Sequence, residues 1–111
     1  MVAYVPRRGD FIAVTFDPQS GHEQRGRRPA LVISHYLFNK HTGLAIVCPI
    51  TSTDRGFPFH VRIGESGKVT GFVMAEQIKS IDFRARSAKR IAKAPAAVLD
   101  EVLSILDACL Y

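Results

Sequence analysis

The chain has 111 residues, 47% hydrophobic and 23% charged, with 15 Lys and Arg against 10 Asp and Glu for a formal net charge of +5. That length predicts a single domain over 1–111 with a modest core, and the two cysteines, Cys48 and Cys109, form neither a disulfide framework nor a zinc spacing. No stretch reaches membrane-helix length and no signal-peptide pattern opens the chain, so a cytoplasmic protein with a polyanionic partner such as nucleic acid is expected.

In chain order, Phe11–Phe16 is rich in β-branched and aromatic residues between the turn-forming pairs Gly9-Asp10 and Asp17-Pro18, which predicts a strand. The run His22-Glu23-Gln24-Arg25-Gly26-Arg27-Arg28-Pro29 follows as a loop, and residues 30–35 read as a second strand launched from Pro29. A third strand is predicted over 44–50, with Pro49 suited to an edge or bulged position. Phe59-His60-Val61-Arg62-Ile63 alternates in the manner of a strand with one wet face. Gly64–Gly67 makes a turn into a partner strand over 69–74, and Gln77–Arg86 continues the sheet. The period then changes. Pro95, followed by Val98, Leu99, Val102, Leu103, Leu106 and Leu110, gives the spacing of an amphipathic helix, with Asp100 and Glu101 early in it. About five short strands and one terminal helix predict a mainly β fold, a small antiparallel barrel. Both cysteines, beside apolar neighbours, are expected buried and reduced.

The loop at 22–29 has no packing rationale. Arginines this close repel one another unless an anion or a carboxylate sits among them, and a guanidinium matches phosphate oxygens two at a time. Read alone, the loop fits either a solvated surface or an anion site. A second cluster follows: Lys79, Arg84, Arg86, Lys89, Arg90 and Lys93 stand against the single acid Asp82. That segment is either a stripe forming a basic groove beside the first loop or a solvated connection into the helix. Thr51-Ser52-Thr53 with Arg55 could be ordinary turn chemistry, or hydroxyls and a cation gathered at a phosphate. His22, His35, His41 and His60 show no ligand spacing, and His35 and His60 fall on predicted strands as structural residues. No metal site and no cofactor are expected.

The chain resembles the MazF/PemK-type toxins of bacterial toxin–antitoxin pairs. The resemblance rests on Gly9-Asp10, Phe16-Asp17-Pro18, Gly21-His22-Glu23-Gln24, Arg28-Pro29-Ala30-Leu31-Val32-Ile33-Ser34, Pro49-Ile50-Thr51 and Gln77-Ile78-Lys79-Ser80-Ile81, in family order from about Val5 to the terminal helix. It implies an SH3-like barrel, a homodimer, and an endoribonuclease that cuts single-stranded RNA at short sequences. It further implies a cognate antitoxin, expected to neutralise with an acidic, flexible segment. The family's catalytic arginine falls on Arg28 and its catalytic threonine on Thr51, while Glu23 matches an acidic position less uniformly tied to activity. The variable loops around Arg25-Gly26-Arg27 and Ser52–Phe57 are expected to set the target sequence.

RNA carries its own nucleophile, the 2′-hydroxyl. Arg28 suits stabilisation of the charge that develops on the phosphate, and its high pKa makes it a poor base. Thr51 would donate to the same phosphate or position the attacking oxygen, and Glu23 is the candidate general base. The expected RNA-binding set is Arg25, Arg27, Ser52, Arg55, Gln77, Lys79, Arg84 and Arg86. Two other functions remain open. A DNA-gyrase-poisoning toxin of the same broad fold would act without chemistry and need neither Arg28 nor Thr51. A non-catalytic RNA-binding barrel would need stacking aromatics on a sheet face, whereas the aromatics here fall mostly in apolar runs expected in the core.

Overall fold

The computed structural model describes residues 3–16 and 27–111. Seven strands, β1 (Asp10–Thr15), β2 (Arg27–Val32), β3 (Leu44–Thr51), β4 (His60–Gly64), β5 (Gly71–Met74), β6 (Lys79–Asp82) and β7 (Lys89–Lys93), form one curled antiparallel sheet. Helix α1 (Tyr36–Thr42) joins β2 to β3, a 3-10 turn (Ala75–Gln77) joins β5 to β6, and α2 (Ala96–Leu110) ends the chain. The strand order is β4-β5-β3-β2-β1-β7, with β6 also on β3. The result is a half-barrel carrying a C-terminal helix, in line with the expected mainly β fold.

The sheet curls because β3 changes partner along its length. Its first half pairs with β6, from Leu44↔Asp82 to Val47↔Lys79, and its end pairs with β5, through Ile50↔Val73 and Thr51↔Phe72. Pro49, with no N–H to give to a ladder, falls in the gap between these partners. The edge or bulged position expected for this proline is therefore replaced by a partner switch within a central strand.

Both faces of β1, β2 and β3 are covered, so these segments read as nearly continuous apolar runs. On one face Phe11, Leu31, Cys48, Ile50, Val61 and Val73 meet Val98, Val102 and Leu106 of α2. On the other, Ile12, Val14, Ala30, Val32, Ala45 and Val47 pack with Ile81 and Phe83. Val98, Val102 and Leu106 recur every fourth residue, and Leu110, at the end of the same pattern, is exposed.

Several local expectations are corrected. Residues 36–42 form a helix that the apolar periodicity does not announce, because its one buried residue is the polar Asn39 while Leu37 and Phe38 face solvent. The Asn39 side chain accepts from Ser34 Oγ and donates to the carbonyls of Pro6 and Ser34, pinning the helix to the N-terminal segment. His35 is the residue capping this helix rather than part of a strand, because β2 ends at Val32. Gln77 closes the 3-10 turn instead of opening a strand. Of the cysteines, Cys48 is buried and Cys109, on the outer side of α2, is exposed.

Candidate active site

Arg28 lies on β2 as the Cα partner of Val14, on the face it shares with buried Ala30 and Val32. β2 and β3 pair through Ala30↔Pro49, Leu31↔Cys48 and Val32↔Val47. Continuing that register two residues beyond Ala30 sets Arg28 across from Thr51, and side chains opposite each other on neighbouring strands stand about 5 Å apart at Cβ. The two residues singled out from separate loops thus belong to adjacent strands and point to the same side of the sheet. Arg28 is exposed, and among the described residues its guanidinium makes no hydrogen bond or ion pair.

Thr51 is fixed from two directions. Its Oγ1 accepts the Thr53 N–H at 3.2 Å, which leaves the hydroxyl proton available for donation. Its carbonyl is pressed by Gly71, where a Cβ would stand 2.3 Å from the Thr51 oxygen and where φ is +104°. Only glycine fits both the conformation and the contact. Neither Gly71 nor Phe72, the direct Cα partner of Thr51 across β3 and β5, is singled out by the sequence. The pairing joins residues 21 apart in the chain, and no local pattern encodes it.

The basic residues divide into two groups. Arg27 Nη2 donates to the Ser87 carbonyl at 2.7 Å, and its Nη1 lies within bonding distance of Thr15 Oγ1 and the Arg86 carbonyl. Arg86 Nη1 donates in turn to the carbonyls of Thr15 and Phe16. These two guanidiniums are engaged in joining the end of β1 to the 83–87 turn, which brings the second basic cluster against the foot of the first loop. Ser52, Arg55, Lys79 and Arg84 are exposed, and Lys79 Nζ sits 5.1 Å over the Phe16 ring. A cleft of about 310 Å³ beside Ala13, Arg27, Pro29, Lys68, Val69 and Ile91 lies on the α2-facing side of the sheet, and its Lys68, in the β4–β5 hairpin, is a cation that sequence reasoning missed. Glu23 and Arg25 lie outside the described residues.

Other polar groups serve the scaffold. Asp10 is buried and accepts from Tyr4 Oη at 2.6 Å, from the Arg7 N–H, and from Arg90 Nε at 3.3 Å. Burial, together with the hydrogen bond to Asp10, raises the pKa of the Tyr4 phenol well above the ordinary range. Burial also pushes the Cys48 thiol up to about 12, so it stays an inert protonated core residue. His60 Nε2 lies 2.9 Å from Glu76 Oε2. Among the described residues no three His, Cys, Asp or Glu side chains gather as a metal set, and no helix is long and apolar enough to cross a membrane.

Residues 7–110 match the family described as PemK-like, MazF-like toxin of type II toxin–antitoxin system. Endoribonuclease toxin ChpB of Escherichia coli is 45% identical over 109 residues, spanning 91% of this chain and 90% of its own length. Endoribonuclease toxin MazF of the same organism is 44% identical over 87 residues, 78% of each chain. A crystal structure of MazE–MazF from Deinococcus radiodurans superposes with a TM-score of 0.87 at 41% identity, covering 97% of both chains. The chain belongs to the MazF/PemK family and is an endoribonuclease toxin of a toxin–antitoxin system.

Proposed function

We propose that this chain, acting as one unit over 1–111, cuts single-stranded RNA at short sequences through attack of the 2′-hydroxyl on the adjacent phosphate, without a metal ion. The observation that carries this reading is the β2–β3 register at Ala30↔Pro49, which, extended by two residues along both strands, puts Arg28 across from Thr51 on one face of the sheet. In the reaction the 2′-oxygen forms a new bond to phosphorus and the P–O5′ bond breaks. One strand ends in a 2′,3′-cyclic phosphate, and the 5′-oxygen takes up a proton. Arg28 spans two phosphoryl oxygens as their charge grows, where a preorganised donor is worth most. Thr51 uses its free hydroxyl proton on the same phosphate, and Glu23 accepts the proton of the attacking 2′-hydroxyl. Arg25, Ser52, Arg55, Gln77, Lys79 and Arg84 hold the flanking strand, whereas the bonds made by Arg27 and Arg86 favour a role in shaping that surface.

The toxin works in the cytoplasm on messenger RNA as a homodimer, since a chain of this size gains from burying further apolar surface between protomers. The relative from Deinococcus radiodurans is seen with its antitoxin MazE. By extension, an acidic, partly disordered segment of the cognate antitoxin lies across the basic groove and masks the RNA site. The gyrase-poisoning alternative gives no role to the Arg28–Thr51 pairing. Incubation with a mixed-sequence RNA and its all-deoxy counterpart, with and without EDTA, tests the chemistry. Discrete RNA fragments with 5′-hydroxyl ends, formed equally in EDTA, are expected. Abolition by EDTA with rescue by magnesium, or cutting of DNA, would overturn it.

A further inference from the structure

The register that joins Arg28 to Thr51 does not stop at β3. Thr51 pairs with Phe72 on β5, and Phe72 pairs in turn with Arg62 on β4. Val61 and Val73, the neighbours of Arg62 and Phe72, point into the core beneath α2, so Arg62 and Phe72 face the other way. Arg28, Thr51, Phe72 and Arg62 therefore form one row across four strands. With strands about 4.8 Å apart, the row runs roughly 14 Å along a single face.

Its far end opens into a cleft of about 450 Å³ lined by Ser52, Asp54, Arg62, Glu65, Gly71 and Phe72, large enough for a small ligand. Phe72 is half-buried, a sheet-face aromatic of the kind that stacks bases, and it departs from the expectation that the aromatics serve the core. Around it the cleft offers both hydrogen-bonding senses. Arg62 presents a fork of donors, held loosely by Glu65 with Nη2 to Oε1 at 3.5 Å. Glu65 and Asp54 present acceptors, and Asp54 uses Oδ1 on the Gly56 N–H while its other oxygen is left for a partner. A ring to stack on, beside donors and acceptors, is what an unstacked nucleobase needs for recognition at its edge. A plain anion would make no use of the aromatic face, and the two carboxylates of the lining would repel it.

We propose that this cleft takes a nucleobase beside the scissile phosphate, with Phe72 as the stacking platform and Arg62, Glu65 and Asp54 reading the base edge. This inference rests on the assignment of the cutting site to Arg28 and Thr51. Phe72 and Arg62 become specificity-determining residues, and the target sequence is set partly by the β4–β5 hairpin as well as by the loops after β1 and β3.

The test uses the full-length toxin and an RNA oligonucleotide carrying one mapped cleavage site, with a single abasic nucleotide placed at each flanking position in turn. For the parent, one position adjoining the cut should lose roughly ten-fold or more in kcat/KM when abasic, the effect of a lost stacked base. Phe72→Leu keeps the apolar bulk and removes the ring. It should show a comparable loss on intact RNA and become insensitive to the abasic substitution at that position alone. Arg62→Ala should broaden base preference at the same position. If Phe72→Leu suffers the same abasic penalty as the parent at every position, or Arg62→Ala leaves the preference intact, the cleft does not read a base. Arg28→Lys measured on the same oligonucleotides separates the two failures. A preserved cutting rate there overturns the catalytic assignment, whereas a collapsed rate with unchanged Phe72→Leu preference overturns only the base pocket.

Discussion

Gly71→Ala probes how finely Thr51 must be placed. A Cβ at residue 71 would sit 2.3 Å from the Thr51 carbonyl oxygen, 3.1 Å from its carbon and 3.2 Å from Ser52 Cα. Carbon and oxygen in contact rest at about 3.3 Å, so the β3 backbone at Thr51 must move by roughly 1 Å. The neighbour is backbone of a central strand, with no flexible side-chain end to swing aside. Displacement of a catalytic group by about 1 Å costs on the order of 100-fold in rate. The residue also holds φ at +104°, where alanine adds strain of about 1–3 kcal/mol. Gly43 supplies the control. It sits at φ +74° at the end of α1 with no atom within 4 Å of its added Cβ, so Gly43→Ala carries strain without displacement. Thermal unfolding and single-turnover cleavage at saturating enzyme should separate the pair. Both variants should melt earlier than the parent, and only Gly71→Ala should lose about two orders of magnitude in cutting rate. A folded Gly71→Ala variant cutting within a few-fold of the parent would refute the reasoning, as would an equal loss in Gly43→Ala.

Further outcomes follow from the same geometry. Asp10→Ala strands the Tyr4 hydroxyl and the Arg7 N–H beside a buried position, leaving the exposed Arg90 to solvent, and should destabilise by about 2–3 kcal/mol in urea unfolding. Arg27→Lys loses the fork that reaches Thr15 and the carbonyls of Arg86 and Ser87, so it should cost about 1 kcal/mol of stability, read from the same titration. The Cys48 thiol, ordinarily near 9, is pushed up to about 12 in the fold. Folding therefore favours the protonated form, and its contribution is complete below pH 9 and lost as pH rises toward about 12. The raised Tyr4 phenol acts in the same direction. Unfolding midpoints should fall steeply above pH 9, and Cys48→Ala should reduce that slope.

What the sequence reveals follows burial and chain separation. β1, β2 and β3 are legible as apolar runs because both of their faces are covered, and β4 is legible by alternation because one face is wet. β6 and β7 blur into a basic stretch, since Lys79, Ser80, Asp82, Lys89, Arg90 and Lys93 are exposed and only Ile81 is fully buried. α1 leaves no periodic trace because Asn39, the residue anchoring it, is polar. Arg28 and Thr51 are legible through the Arg-Pro and Pro-Ile-Thr motifs, whereas their opposition depends on a strand pairing between residues 23 apart. Gly71 and Phe72, which adjoin Thr51, fall in the strand expected over 69–74, but nothing local shows that this strand pairs with the end of β3. Charge counting does not set Arg27 and Arg86 apart from the other cations, because a guanidinium bonded to backbone carbonyls looks the same in a sequence as one facing solvent.

A double-mutant cycle on single-turnover cleavage shows whether Arg28 and Thr51 act on one phosphate. Arg28→Lys retains charge and RNA attraction but removes the planar fork, and should lower the rate on the order of 100-fold or more. Thr51→Val removes the hydroxyl at nearly constant shape. Two groups serving the same transition state are strongly coupled, so the double variant should be much less impaired than the product of the single losses. Full multiplicative losses, or an Arg28→Lys rate within a few-fold of the parent, would contradict the account.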